Sequence, residues 1–144
     1  MKDITYKHTL PLQIRFNDVD KFGHVNNTVY FSFYDLGKTE YFSSVCPNVN
    51  WVKDAIMVVH IEVDFLTQIF ASDNIAVQTA VSEIGNKSFR LAQRLIDTHT
   101  GEAKCVCYSV MVAYDLQQHS STPLTEEWIH AICEYEGKDL RRKK

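Results

Sequence analysis

The stretch RFNDVDKFGHVNNTVYFSFYD, Arg15 to Asp35, sets Asp18 and Asp20 two residues apart. Gly23, His24, Asn26 and Asn27 follow, and then a run of aromatics. A plain turn needs glycine or asparagine, but not this mixture. On its N-terminal side, TLPLQIRF (Thr9–Phe16) alternates. Leu10, Leu12, Ile14 and Phe16 fall on one side, with Pro11, Gln13 and Arg15 on the other, which predicts a strand with one buried face. On its C-terminal side the period changes to that of a helix. Val29, Tyr30, Phe33, Leu36, Gly37, Glu40 and Tyr41 recur at helical spacing, so a helix is expected over Asn26–Val45, capped by Asn26 or Asn27. Gly37 inside it costs about 1 kcal/mol relative to Ala. Close packing against another backbone is the expected compensation. CPNVN (Cys46–Asn50) breaks the helix.

The remainder reads as strands: Ala55–Leu66, Asp73–Ile84, Ser88–Asp97 and Lys104–Asp115. Turns on Gly85 and Asn86 and on Gly101 join the last three into an antiparallel meander. A short helix, Thr125–Tyr135, is capped by Thr125. Residues 136–144 read as a polar, frayed tail of a single domain spanning 1–144. On the last strand Val106, Tyr108, Val110, Val112 and Tyr114 face one way, and Cys105, Cys107, Ser109, Met111 and Ala113 the other. Neither face is strongly polar, and one helix covers only one face. A second subunit is expected on the other face or on an edge, giving a homodimer or homotetramer.

With 144 residues, 45% of them hydrophobic, the chain is sized for one domain with its own core. A net charge of -3 argues against nucleic acid as a main partner. No apolar run reaches the ~20 residues of a membrane span. MKDITYKHTLPLQ has no apolar core of a signal peptide, so a cytoplasmic location is expected. The four cysteines, Cys46, Cys105, Cys107 and Cys133, lack metal-site spacing and read as reduced thiols.

One strand, a loop, a long helix and four long strands form the hotdog arrangement: an α+β fold whose five-stranded antiparallel sheet wraps one long helix. Phe16, Asn17, Asp18, Val19, Asp20, Lys21, Phe22, Gly23, His24, Val25, Asn26, Asn27 and Tyr30 resemble the signature of the 4-hydroxybenzoyl-CoA thioesterase-like family of acyl-CoA thioesterases. DFLTQIFASDNIAVQTAVSEIGNKSF is similar to that family's second half. Gln68 and Ser72 stand where a proline and a glycine are common. The resemblance spans Leu12 to Asp115.

Thioester hydrolysis needs a base or nucleophile and a donor for the developing oxyanion. The resemblance implies Asp20 as the catalytic carboxylate and the backbone N–H of Asn27 as the main donor. A helix start also supplies free N–H groups and a positive dipole end. Asp18 is expected to bond the loop backbone, or to raise the pKa of Asp20 by like-charge proximity. His24 shapes the loop or touches substrate, and in dehydratases of this fold a histidine beside an Asp is catalytic. Asn26 and Asn27 are caps first and substrate contacts second. Tyr30, with Phe22 and Phe31, is a candidate pocket wall for an aryl or fatty acyl group. Glu40 is either a surface residue or a positioner of water. The resemblance implies that Lys87, Ser88 and Arg90 meet the phosphates of coenzyme A, and the RRKK tail is a further candidate for phosphate. His60, Glu62 and Asp64 read as a solvated strand face, not a metal site. No cofactor is expected. The expected activity is acyl-CoA hydrolysis, with acyl carrier protein as the other carrier. A hydratase or dehydratase using His24 and a non-catalytic acyl-CoA-binding protein are the alternatives.

Overall fold

The computed structural model describes residues 4–48 and 53–142. The elements are β1 (His8–Leu12), a 3-10 turn (Phe16–Asp18), α1 (Asn27–Val45), β2 (Asp54–Phe65), β3 (Ile75–Ile84), β4 (Ser88–Asp97), β5 (Ala103–Asp115), β6 (Ser120–Ser121) and α2 (Glu126–Glu136). The strands form an antiparallel sheet in the order β1-β3-β4-β5-β2, with β6 beside β5. The long α1 lies on one face of this sheet and the short α2 packs beside its far end, which is the expected hotdog architecture.

α1 starts where Asn26 caps it, its side chain accepting from the Thr28 N–H. The first half of α1 buries Tyr30, Phe33 and Tyr34 against Ile75, Val77, Leu95, Cys105 and Cys107. The second half buries Tyr41, Phe42 and Val45 against Val81, Ile84, Phe89 and Met111, with Trp128 and Ile132 of α2 closing the cluster. Each such side chain contributes about 1.5–3 kcal/mol when fully buried. The two clusters fix which end of the sheet each half of α1 faces. At about 1.5 Å per residue the 19-residue helix is about 28 Å long, so its ends are far apart.

Along β5 the odd-numbered residues Cys105 to Ala113 are buried under α1, and the even-numbered ones are only half-buried. β2 is an edge strand. Its α1-facing residues include Val58, Ile61 and Phe65, all exposed, and a bulge at Val59 shifts its register against β5. Among the described residues no helix is long and apolar enough to cross a membrane.

The structure departs from the sequence reading in several places. The first strand ends at Leu12, and Phe16, expected on its buried face, is 92% exposed. The Asp18 carboxylate draws the Arg15 N–H into the 3-10 turn and takes the chain out of extended geometry. Leu36 is exposed, whereas Tyr34 and Phe42 are buried, so the core stripe of α1 is rotated from the expected set. Gly37 packs against side chains, not backbone: an added Cβ would lie 2.8 Å from Val77 Cγ1 and 3.0 Å from Thr79 Oγ1. The tail is docked, not frayed, over its described part. Glu136 is buried and accepts from the Tyr41 hydroxyl and the Val81 N–H. Leu140 is also buried, its carbonyl accepts from Ile84 N–H at 2.8 Å, and Arg142 N–H returns a bond to the Ile84 carbonyl at 2.7 Å. Val49 and Asn50 of the helix break, and the final two lysines, lie outside the described residues.

Candidate active site

The polar loop is held from within and from outside. Inside it, the buried Asp18 carboxylate accepts from Arg15 N–H at 2.8 Å and from the Arg15 guanidinium at 3.1 Å. Burial opposes the charged form of Asp18. The Arg15 backbone N–H and guanidinium outweigh it and hold the carboxyl below the usual carboxylate range. Asp18 also ties the loop to the helix cap through its carbonyl, which accepts from Asn26 N–H at 2.8 Å. Gly23 turns the chain at φ +83°, a conformation that favours glycine. From outside, Ile69 accepts from Val25 N–H at 2.8 Å and Gly23 from Ala71 N–H at 3.3 Å. The segment before β3 therefore braces the loop, a role the alternation of strands gave no sign of.

Asp20 differs from Asp18. It is exposed, and only its Oδ1 is engaged, accepting from Phe22 N–H at 2.9 Å and His24 N–H at 3.3 Å. Among the described residues Oδ2 accepts no hydrogen bond. At the helix start, Thr28 N–H is taken by Asn26 Oδ1 and Val29 N–H by the Asn26 carbonyl. The Asn27 N–H has no acceptor among the described residues. One loop thus ends with a free carboxylate oxygen and a free N–H at the positive end of α1.

The aromatic neighbours divide. The His24 ring packs edge-on against Phe70, 4.8 Å between centroids, and makes no hydrogen bond among the described residues. Tyr30 is buried, edge-on against Phe65, and its hydroxyl meets the backbone of Ile69. Phe22 and Phe31 are exposed.

The remaining predicted residues lie elsewhere. Glu40, midway along α1, accepts from Ser44 Oγ at 3.0 Å and pairs with the buried His8 at 3.3 Å, a partner not foreseen in the sequence. Lys87, Ser88 and Arg90 sit at the β3–β4 turn beside Phe89, which packs on Phe42. That turn is at the C-terminal end of α1, so the structure separates it from Asp20. A cavity of about 570 Å³ between α1 and β2, lined by Lys38, Phe42, Ile56, Val58 and Met111, also lies toward that end.

The three buried thiols are poor nucleophiles. Burial pushes Cys46 and Cys105 up to about 11, and burial followed by the neighbouring Cys105 pushes Cys107 up to about 12. Among the described residues no cluster of three His, Cys, Asp or Glu side chains is set to hold a metal ion, and His60 pairs with Glu62 at 3.0 Å on the exposed strand.

The sequence matches the family model of the thioesterase-like superfamily over residues 14–132. The chain belongs to that superfamily. Among solved structures, a thioesterase from Thermus thermophilus, complexed with coenzyme A and zinc, is 28% identical with a TM-score of 0.82, covering 94% of this chain and 98% of that one. A 1,4-dihydroxy-2-naphthoyl-CoA thioesterase from Synechocystis has the same fold, with a TM-score of 0.77 at 20% identity over 88% of this chain and 96% of its own. The chloroplastic acyl-acyl carrier protein thioesterase ATL3 of Arabidopsis thaliana is 27% identical over 84 residues, 56% of this chain. This thioesterase-superfamily chain spans less than half the length of the plant relatives it matches, 44% and 43%.

Proposed function

We propose that this chain hydrolyses acyl-CoA thioesters, with Asp20 as general base or nucleophile and the Asn27 N–H polarising the thioester carbonyl. One observation carries the reading: the free Asp20 Oδ2 and the unbonded Asn27 N–H terminate the same braced loop. As a base, Asp20 takes a proton from water while the water oxygen adds to the carbonyl carbon. The carbonyl electrons move onto oxygen, where the Asn27 N–H and the helix dipole stabilise them. Collapse breaks the C–S bond and expels a thiolate, a good leaving group because a thiol ionises near pKa ~8.5. As a nucleophile, the Asp20 oxygen would add to the carbonyl carbon, the C–S bond would break to release the thiolate, and water would cleave the resulting anhydride to the free acid and the Asp20 carboxylate.

Coenzyme A is favoured as carrier because the Thermus relative binds it, and acyl carrier protein is the other carrier to test. The cavity between α1 and β2 offers apolar room for an acyl group. The separation of Asp20 from the Lys87 turn supports a shared site. Antiparallel pairing of β2 with β2 of a second copy would bring the turn of one chain to the Asp20 end of the other. A cytoplasmic, oligomeric enzyme is the resulting picture.

Thiol release from short, long and aryl acyl-CoAs, and from one acyl carrier protein thioester, tests this reading with a thiol-reactive dye. Release above background is expected for at least one acyl-CoA. Loss of enoyl-CoA absorbance without thiol release would replace it with a hydratase using His24. Coenzyme A binding with neither reaction would make the chain a binding protein.

A further inference from the structure

The cavity between α1 and β2 holds a cation that is withdrawn from water. Phe42, Ile56, Val58 and Met111 form its apolar lining. Its polar lining comes from α1, where Asp35, Thr39 and Ser43 are exposed and Lys38 is not. A lysine on a helix surface ordinarily lays its stem along apolar neighbours and keeps its ammonium in water. The Lys38 side chain is only 13% exposed. Burial and the Cys105 neighbour raise the Cys107 thiol of β5, and the Lys38 ammonium opposes them, so this charge is felt at the sheet. Lys38 Nζ donates to Asp35 Oδ1 at 3.4 Å, and that carboxylate is 74% exposed. A long bond to a screened surface carboxylate contributes little, whereas drawing an ammonium out of water is costly. Lys38 is therefore under-compensated where it stands.

We propose that this cavity selects an acyl group that carries a second carboxylate, which the Lys38 ammonium binds while Phe42, Ile56, Val58 and Met111 hold the chain. The inference rests on the acyl-CoA reading for the thioester end and adds to it the class of acyl group. β2 runs from the cavity, at Ile56 and Val58, to the Asp20 end of the fold, where Phe65 meets Tyr30. Antiparallel pairing of β2 in two copies would set the Asp20 loop of one beside the cavity of the other. The far end of an acyl group held at that loop would then meet Lys38. An apolar pocket alone discriminates weakly between chains, but a covered cation rejects the analogue that leaves it unpaired. Asp35 is the stand-in for the ligand's carboxylate. One turn away on the same helix and exposed, it turns out to water when a better-placed anion arrives. A neutral or hydroxylated acyl group has no charge with which to displace it.

The test is calorimetric titration of the full chain with octanedioic acid monoamide, whose amide stands for the thioester, against octanamide. The corresponding hexane and decane pairs cover chain length. The parent chain is expected to bind the monoamide about ten- to a hundredfold more tightly, the worth of a hydrogen-bonded charge. Lys38→Met keeps the length of the side chain and should remove that preference, while Lys38→Arg should keep most of it. Asp35→Asn should tighten the monoamide several-fold and leave octanamide alone, an effect that a merely structural lysine would not give. Lys104→Met is the control. Its side chain is similarly covered, 12% exposed, but it pairs with Glu102 at 3.2 Å outside the cavity, so the preference should persist. In turnover, kcat/KM for octanedioyl-CoA should exceed that for octanoyl-CoA about tenfold, and the order should invert in Lys38→Met. Equal binding of acid and amide at every chain length, no binding of either, a preference that survives Lys38→Met, or weaker monoamide binding in Asp35→Asn would overturn the proposal. Because the titration uses neither a thioester nor coenzyme A, the cavity's selectivity and the hydrolase reading can each fail without the other.

Discussion

Asp18 and Asp20 are chemically alike and two residues apart, yet the chain gives them opposite surroundings. Asp18 is buried and used up by Arg15, while Asp20 keeps one oxygen free. Spacing along the sequence shows neither fact, because it does not say which carboxylate turns inward. The Asp18 environment has a measurable consequence. Asp18→Asn should destabilise the fold by about 1–3 kcal/mol: the amide oxygen can keep the Arg15 N–H, but that bond loses its charge assistance and an amide N–H then faces the partly screened guanidinium. The folded pKa of Asp18 is depressed, so its contribution is present above the unfolded value near ~3.9 and lost as pH falls through the folded value. Urea midpoints from about pH 7 to about pH 3 should show the gap between parent and variant closing below about pH 4. A gap constant across that range would mean that Asp18 gains nothing from its charge.

At the scale of elements, the strands were the most legible part. Ser88–Asp97 is matched to the residue, because Gly85, Asn86 and Gly101 punctuate an alternating pattern that burial on one face enforces. The helix was legible from its Asn cap and aromatic spacing, but Leu36 was misassigned because a stripe wider than one residue per turn leaves its edge undefined. The docked tail was not legible: a lone Leu140 in a charged run carries no periodicity, and only the tertiary pairing with Ile84 reveals it. The position of Gly37 makes a second test. Ala there gains about 1 kcal/mol of helix propensity but must displace the Val77 methyls, and overpacking of this kind costs about 1–3 kcal/mol. Gly37→Ala should therefore lower the denaturation midpoint, and adding Val77→Ala should cost less than the two single losses together. A raised midpoint in Gly37→Ala would show that Val77 yields freely.

For the molecule as a whole, β2 is the telling element. It is a 12-residue edge strand with Met57, Val58, Val59 and Ile61 all exposed, and long apolar edges of this kind are normally covered. Light scattering at micromolar concentration should give at least two chains per particle, and Ile61→Lys should shift the distribution toward one. A monomeric parent chain would leave the Lys87 turn and Asp20 without a shared site. The central claim, that Asp20 drives thioester hydrolysis from the loop before α1, is tested most directly by kcat of Asp20→Asn on the best acyl-CoA of the panel. General-base assistance is worth about 10² to 10⁴ in rate. The amide neither accepts a proton at neutral pH nor attacks a thioester efficiently. The account predicts a fall in kcat of that size with KM within a few-fold and residual turnover from the Asn27 N–H, while Asp18→Asn loses stability more than rate. An Asp20→Asn enzyme with undiminished kcat would contradict it.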